Sequence, residues 1–224
     1  MGRRNKLERF KQNEENPNVV QPGKPLYDTI KGKWREEFFK NDRDIVLELA
    51  CGRGEYTVGL AQAYPDRNFV GVDIKGDRIW KGSQFATQNG LQNVGFLRTF
   101  IQNIEQYFAP GEVNEIWVVH PDPRPKDSDE RRRLTNARFL TMYKNLLMPD
   151  GWLHFKTDNA GLFEYTLEVL KDWKIKDFEF TRDLYKEEKL LAQHHDIKTR
   201  YELKFVAEGH KIHYLKFRFD RGEG

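Results

Sequence analysis

The sequence predicts an α/β fold built on a doubly wound, mostly parallel sheet with an antiparallel edge strand. Three observations lead there. From Asp44 to Trp173, apolar runs of strand length alternate with stretches of helical periodicity. A glycine turn, Gly52-Arg53-Gly54, joins the first such strand to the first helix, as crossover units that bind nucleotides require. The last two apolar runs, residues 174–182 and 211–219, have no helix of ordinary length between them, which suits an antiparallel pair at one edge.

Residues 1–25 are polar and basic, with Pro17, Pro22, Gly23 and Pro25, and are expected to be a mobile arm. Residues 33–40 form a short helix with Trp34, Phe38 and Phe39 on its apolar side. Residues 1–40 are thus an arm and short helix, and 41–224 a single domain. Within the domain, residues 45–49 are a buried strand and 55–63 a helix. Residues 68–72 are a second strand and 75–90 a second helix. Residues 93–99 and 115–119 are the third and fourth strands. A long helix is expected over 130–147, closed by Pro149-Asp150-Gly151, then a fifth strand over 152–156 and a helix over 159–173.

Composition narrows the class. Charged residues make up 33% and hydrophobic residues 38% of the 224, which fits a folded domain with a full core rather than a disordered chain. No apolar run reaches bilayer-spanning length, and the first residues lack an apolar signal core. The single cysteine leaves no intramolecular disulfide and fits a reducing compartment, so a cytoplasmic location is expected. The net charge of +3 is too small to identify a nucleic-acid partner by itself. The positive charge is nevertheless clustered, at Arg3, Arg4, Lys6, Arg9 and Lys11 and again between Arg131 and Arg138.

Two loops carry chemistry. In the first, Glu48-Leu49-Ala50-Cys51-Gly52-Arg53-Gly54, the glycines let a ligand approach the backbone, and Asp73 at the end of the next strand can accept both hydroxyls of a ribose. A dinucleotide fingerprint would put a third glycine at Thr57, whose side chain is expected to crowd the helix–strand contact. Glu48 would repel a pyrophosphate and suits the cationic amino-acid end of S-adenosylmethionine, so a methyl donor is favoured over NAD. The alternative is that Gly52 and Gly54 only make a tight turn. Cys51 lacks a neighbouring base and reads as a packed thiol.

In the second loop, Trp117-Val118-Val119-His120 stops at Pro121-Asp122-Pro123-Arg124-Pro125-Lys126. Three alternating prolines stiffen the backbone and hold Asp122, Arg124 and Lys126 in place. A carboxylate beside basic charge, with Arg131-Arg132-Arg133 following, points to an anionic substrate. Acids at Asp127, Asp129 and Glu130 are placed to pair with part of that arginine run.

The chain resembles the bacterial tRNA (guanine-N(7)-)-methyltransferases over nearly its whole length. The matching segments are residues 48–54, Asn93-Val94, 109–113, 121–126, Arg132-Arg133-Leu134-Thr135, residues 154–159 and Thr199-Arg200-Tyr201-Glu202. The resemblance implies a Rossmann-like methyltransferase sheet, S-adenosylmethionine as co-substrate, no metal, and a guanine in the tRNA variable loop as acceptor. It further implies that Glu48, Gly52, Gly54, Asp73, Phe100 and Asp122 line the donor site, that Lys126, Asp158, Thr199, Arg200, Tyr201 and Glu202 hold the substrate, and that Asp122 is the catalytic carboxylate. Two positions depart from the family pattern. Arg124 stands where an aromatic is usual, and Phe100 where many members place an acid on the adenine.

Several of these residues have a second, structural reading. Asp122 can be a turn aspartate, Asp158 the N-cap of the following helix, Tyr201 a core residue and Glu202 a solvated salt-bridge partner. His194 and His195 are adjacent and do not converge readily on one metal. His210 and His213 read as alternating edge-strand residues. The expected partner is tRNA, with no membrane; the chain is a monomer or a homodimer. A methyltransferase of the same architecture acting on another acceptor, and an RNA-binding protein without donor affinity, are the alternatives.

Overall fold

The computed structural model describes residues 3–222. Met1 and Gly2, at the head of the expected arm, and the side chains of Arg3 and Arg4 in its basic cluster lie outside the described part. The elements run α1 (Arg3–Glu15), β1 (Val19–Val20), β2 (Ile45–Leu49), α2 (Glu55–Ala63), β3 (Asn68–Asp73), α3 (Gly76–Gln88), β4 (Val94–Arg98), β5 (Val113–Val119), α4 (Ala137–Leu146), β6 (Leu147–Thr157), α5 (Ala160–Leu170), β7 (Ile175–Thr181), α6 (Glu188–Ala192), α7 (Arg200–Ala207) and β8 (His213–Phe219). The eight strands form one sheet in the order β1-β4-β3-β2-β5-β6-β8-β7.

Neighbours from β1 to β6 are parallel, and β8 pairs antiparallel with both β6 and β7. The expected antiparallel pair is therefore present, with β7 at the edge and β8 inside it. The central strand β2, Ile45 to Leu49, is buried throughout, as a strand covered on both faces must be. One core, around Trp34, Leu47, Ile116 and Phe163, covers one face; the other, around Tyr56, Phe96, Trp117 and Tyr214, covers the opposite face. Strand order reverses between β2 and its neighbours β3 and β5, so a crevice opens at the carboxyl ends of these strands, where open α/β sheets bind ligands.

Three expectations are corrected. The arm is folded onto the domain. Asn13 Nδ2 donates to Gly76 O at 2.7 Å, Asn16 Nδ2 to Ser83 Oγ at 2.8 Å, and the Arg9 guanidinium lies 4.6 Å above the Trp80 ring. Val19 and Val20 then pair with Phe96 and Leu97 as the short outer strand. Side-chain amides thus anchor a stretch whose composition alone looks solvated. The short helix at Trp34–Phe39 is π-helical and ends at Lys40, φ 55°; Trp34 and Phe39 are buried, and Trp34 Nε1 donates to Tyr107 O at 2.8 Å.

The long helix expected over 130–147 is broken. A 3₁₀ turn over Asp127–Arg132 precedes α4, which starts after Asn136. The Asn136 side chain accepts from Arg138 N at 3.2 Å, and buried Thr135 accepts from Thr166 Oγ1 at 2.7 Å. The local Asn136 cap competes with a continuous helix, and the Thr166 contact fixes Thr135 from outside the segment.

Candidate active site

Four adjoining cavities open at the carboxyl ends of the central strands. The first, roughly 380 Å³, is lined by Ala50, Asp73, Phe100, Asp122, Arg124 and Arg132 among others. The second, roughly 260 Å³, lies over the loop after β2 and includes Glu48, Gly52, Arg78, His120, Thr199 and Tyr201. The third, roughly 350 Å³, is bounded by Lys75, Arg78, His120, Asp122, Asp158 and Tyr201. A fourth is lined by Arg53, Arg200, Tyr201 and Lys204. Asp122 is shared by the first and third, and Tyr201 by the second, third and fourth.

The loop after β2 is held by its own backbone and by Asp73. Asp73 Oδ2 accepts from Gly52 N at 3.0 Å and Oδ1 from Lys75 N at 2.8 Å, so the acid that ends β3 also shapes the turn it faces. Gly54 lines none of the four cavities. It is needed for packing: φ is 71°, and a Cβ would stand 2.6 Å from the Phe96 ring, where an L side chain is both strained and blocked.

Thr57 does not crowd the helix–strand contact as expected, because β3 yields the space. Gly71 stands opposite Glu48 in the β2–β3 register, and a Cβ there would meet Thr57 Oγ1 at 2.7 Å and Phe96 at 2.8 Å. The glycine that a dinucleotide turn puts on the helix is here on the neighbouring strand. Thr57 uses the room to bind Glu48, donating its backbone N–H at 2.7 Å and its hydroxyl to Oε2. Gly71→Ala is expected to destabilise the fold by about 1–3 kcal/mol, the usual cost of overpacking, and to weaken donor binding by displacing Thr57 from Glu48. Urea unfolding and calorimetric titration check both.

Burial pushes the Glu48 carboxyl up to about 8, against the two Thr57 hydrogen bonds that favour the ionised form. Burial and the nearby Glu48, Asp73 and Glu55 charges raise the Cys51 thiol well above its ordinary value, so it is a packed thiol as the sequence suggests.

On the proline loop, Asp122 is exposed. Oδ1 accepts from Arg124 N at 3.3 Å, and Oδ2 lies 3.1 Å from Arg124 Nε. The turn reading of Asp122 is therefore present together with its place between two cavities. Arg124 faces the first cavity and Asp122, with its side chain 39% exposed against 67% for Arg132. Of the two, Arg124 is the less exposed. Arg132 pairs with Asp129 at 3.1 Å, and the Arg133 guanidinium covers the Tyr165 ring at 4.3 Å. Lys126 is exposed, ahead of the 3₁₀ turn, and lines none of the four cavities. Phe100 is 55% exposed on the wall of the first.

Asp158 is not the cap of α5. Asn159 is, accepting from Leu162 N at 2.8 Å, which leaves Asp158 free to face the third cavity. Its Oδ1 lies 2.9 Å from His120 Nδ1. Burial favours its neutral form, but the hydrogen bond to His120, a backbone hydrogen bond and the His120 and His210 charges together lower the carboxyl below its ordinary value.

The segment Thr199–Glu202 divides by direction. Thr199 is buried and caps α7, accepting from Glu202 N at 3.1 Å. Arg200 is exposed, and Tyr201 is 55% exposed on the cavity walls, not in the core. Glu202 is 0% exposed, so its salt bridge is buried, not solvated. Lys156 Nζ lies 2.6 Å from Glu202 Oε1 and donates to Tyr56 OH at 2.6 Å; Tyr185 OH also donates to Glu202, at 2.8 Å. Burial pushes the Glu202 carboxyl up, yet hydrogen bonds from His120 and Lys156 and the Lys156 charge hold it at about 2. Lys156 itself is lowered by burial against the pull of Glu202.

His194 Nδ1 lies 2.8 Å from Tyr56 OH, and burial with the Lys156 charge lowers it to about 2. It is a packed neutral imidazole, and no group of three possible metal ligands exists among the described residues. His213 begins β8, inside the edge strand β7, and His210 precedes it.

Sequence reasoning passed over His120 and Lys156 as site residues. Their signals were a histidine ending an apolar strand before proline, and a lysine in alternation with Leu153 and Phe155 on a buried strand.

Comparison with known proteins shows the family. Residues 42–215 match a family model described as putative methyltransferase. The tRNA (guanine-N(7)-)-methyltransferase of Cytophaga hutchinsonii is 51% identical over 96% of this chain and 98% of its own length. That of Christiangramia forsetii is 48% identical over 97% and 99%. The chain belongs to the tRNA (guanine-N(7)-)-methyltransferase family. Solved structures share its fold at low identity. The 16S rRNA methyltransferase KamB superposes with a TM-score of 0.62 and 17% identity, over 83% of this chain and 92% of that one. The 16S rRNA (adenine(1408)-N(1))-methyltransferase of Catenulisporales acidiphilia gives 0.60 and 13%, over 86% and 94%. These likenesses carry the fold of a class I methyltransferase. Among the described residues, no helix is long and apolar enough to cross a membrane.

Proposed function

We propose that this family member transfers a methyl group from S-adenosylmethionine to N7 of a guanine in the tRNA variable loop, in the cytoplasm. The observation that carries this is the position of Asp122, a carboxylate at the seam between two cavities. The residues present fit the donor. Asp73 and Phe100 suit the ribose and adenine in the first cavity, while Glu48 and Gly52 suit the methionine end in the second. The donor supplies an electrophilic methyl on a sulfonium.

The acceptor belongs to the third cavity, where Asp158 is placed to accept from the guanine's donor edge. Guanine N7 carries an in-plane lone pair and no proton, so no strong base is needed. What the chain must supply is alignment and a carboxylate to favour positive charge as it arrives on the purine. Arg200, Tyr201 and Lys126 are exposed, and cations and an aromatic suit phosphates and stacked bases.

The test is incubation with methyl-labelled donor and unmodified tRNA, followed by mapping of the modified base. Label at N7 of a variable-loop guanine is expected. Label elsewhere in the tRNA changes the acceptor position, and label confined to small molecules overturns the tRNA reading.

Glu48 makes donor binding pH-dependent. A carboxyl raised to about 8 is largely protonated at pH 7 in the free site, and a cationic amino group favours the ionised form. Donor binding is therefore expected to release a proton below pH 8, with affinity rising towards pH 8 and levelling above it. Calorimetry in buffers of different ionisation enthalpy measures the release.

A further inference from the structure

The imidazole of His120 lies between two acids from different elements. Nδ1 is 2.9 Å from Asp158 Oδ1, at the end of β6, and Nε2 is 3.4 Å from Glu202 Oε2, on α7. The ring is buried, its side chain 5% exposed. Nε2 and Glu202 Oε2 are both buried, and neither makes a well-formed hydrogen bond among the described residues. Both ring nitrogens therefore face carboxylate oxygens, which only accept when ionised. A neutral imidazole would direct a lone pair at one of them; an imidazolium satisfies both.

The backbone aims the ring there. His120 has φ 45°, a region non-glycine residues seldom occupy, and His120 N donates to Lys156 O at 2.8 Å. A left-handed turn at the strand end, ahead of Pro121, thus sends the side chain towards α7 and β6.

Resting on the guanine reading above, we infer that His120 is a positioning residue: as an imidazolium bridging Asp158 and Glu202, it fixes the acceptor carboxylate of Asp158 in the third cavity and locks α7, which carries Tyr201, against the end of β6. Asp158 Oδ1 is held by the ring, and Oδ2 has no side-chain partner among the described residues, leaving it to the purine. Other charges face His120 besides the two acids. Lys156 on β6 opposes its protonation, Asp122 on its own loop shares the third cavity, and Lys75 and Arg78, at the start of α3, line the same space. Burial favours the neutral ring, but the hydrogen bonds it directs to Asp158 and, at longer range, to Glu202, with the Glu202 charge, together raise His120 above its ordinary value. While both carboxylates are ionised, the bridge is whole below that raised midpoint and is lost as pH rises through it.

Two measurements on the full chain test this. In the 15N-histidine spectrum of the wild type, assigned through the backbone, His120 is expected to show two protonated nitrogens at pH 7. A neutral ring there overturns the bridge, and this readout needs no variant to fold. In kinetics, the wild-type KM for tRNA is expected to rise as pH climbs through the His120 midpoint. His120→Gln is expected to raise the tRNA KM by about tenfold or more, the fold-change of one charge-assisted hydrogen bond, and to remove that limb of the pH profile. An unchanged KM and profile in His120→Gln overturns the positioning role. If the wild type itself puts no label on tRNA, the guanine reading fails, and the histidine spectrum still decides the bridge.

Discussion

Asp122→Ala is expected to lower the single-turnover rate of methyl transfer by about 10²–10³-fold, the loss typical of removing a group that stabilises developing charge, while donor affinity changes little. Asp122 is exposed and its ion pair with Arg124 is half-exposed, so the pair contributes little to stability and the variant should fold. Its placement between the first and third cavities is what gives it leverage on the reaction. The side chain also closes a turn by accepting from Arg124 N, and Asp122→Asn separates the two roles. Asparagine can keep that hydrogen bond but carries no charge. If charge is what matters, the asparagine variant should be nearly as slow as alanine. If the turn is what matters, it should be nearly as fast as wild type. Rapid-quench turnover with labelled donor, beside calorimetric donor binding, decides. A near-normal rate in Asp122→Ala would remove it from the catalytic role.

Glu202→Ala should destabilise the protein by about 3–5 kcal/mol, the cost of leaving one partner of a buried pair alone. Lys156 would stay buried with its ammonium bonded only to Tyr56 OH, and Tyr185 OH would lose its acceptor. The double change Lys156→Met with Glu202→Leu should recover most of the loss, since a buried pair replaced by apolar groups of similar volume is often neutral. Urea unfolding measures both.

The pH dependence has a definite sign. The Glu202 carboxyl is lowered from 4.5 to about 2 in the folded chain, so its contribution is fully present above pH 4.5 and is lost as pH falls towards 2. The wild type should show this loss, and Glu202→Ala should lack that component. Recovered stability in the double variant need not restore activity, because His120 would lose one of its two acids.

The sheet was legible in the sequence because its strands are buried on both faces. Such strands read as continuous apolar runs, and Ile45–Leu49 falls where the pattern puts it, as does the helix Glu55–Ala63 by its own period. The break at Thr135-Asn136 was not legible, since helical periodicity runs through it, and besides the Asn136 cap it is the contacts of Thr135 with Thr166 and of Asn136 with Tyr165 that favour the break. The arm was missed for a related reason. Asn13 and Asn16 look like solvent-facing residues until Gly76 and Ser83, more than sixty residues away, provide their partners.

By itself the sequence determined the doubly wound class, the glycine turn, the stiff proline loop and the residue types of the site: Glu48, Asp73, Asp122 and Asp158. Those follow from local rules, the period of apolar residues, the restriction by proline and the freedom of glycine. Only the tertiary structure decided which of two roles each residue plays. It made Asn159 rather than Asp158 the helix cap, put Tyr201 outside and Glu202 inside, and set His120 between two carboxylates. Spacing along the chain cannot show this, because burial and charge pairing arise from contacts between β6, α7 and the loop after β5, which are distant in sequence and meet only when the sheet closes.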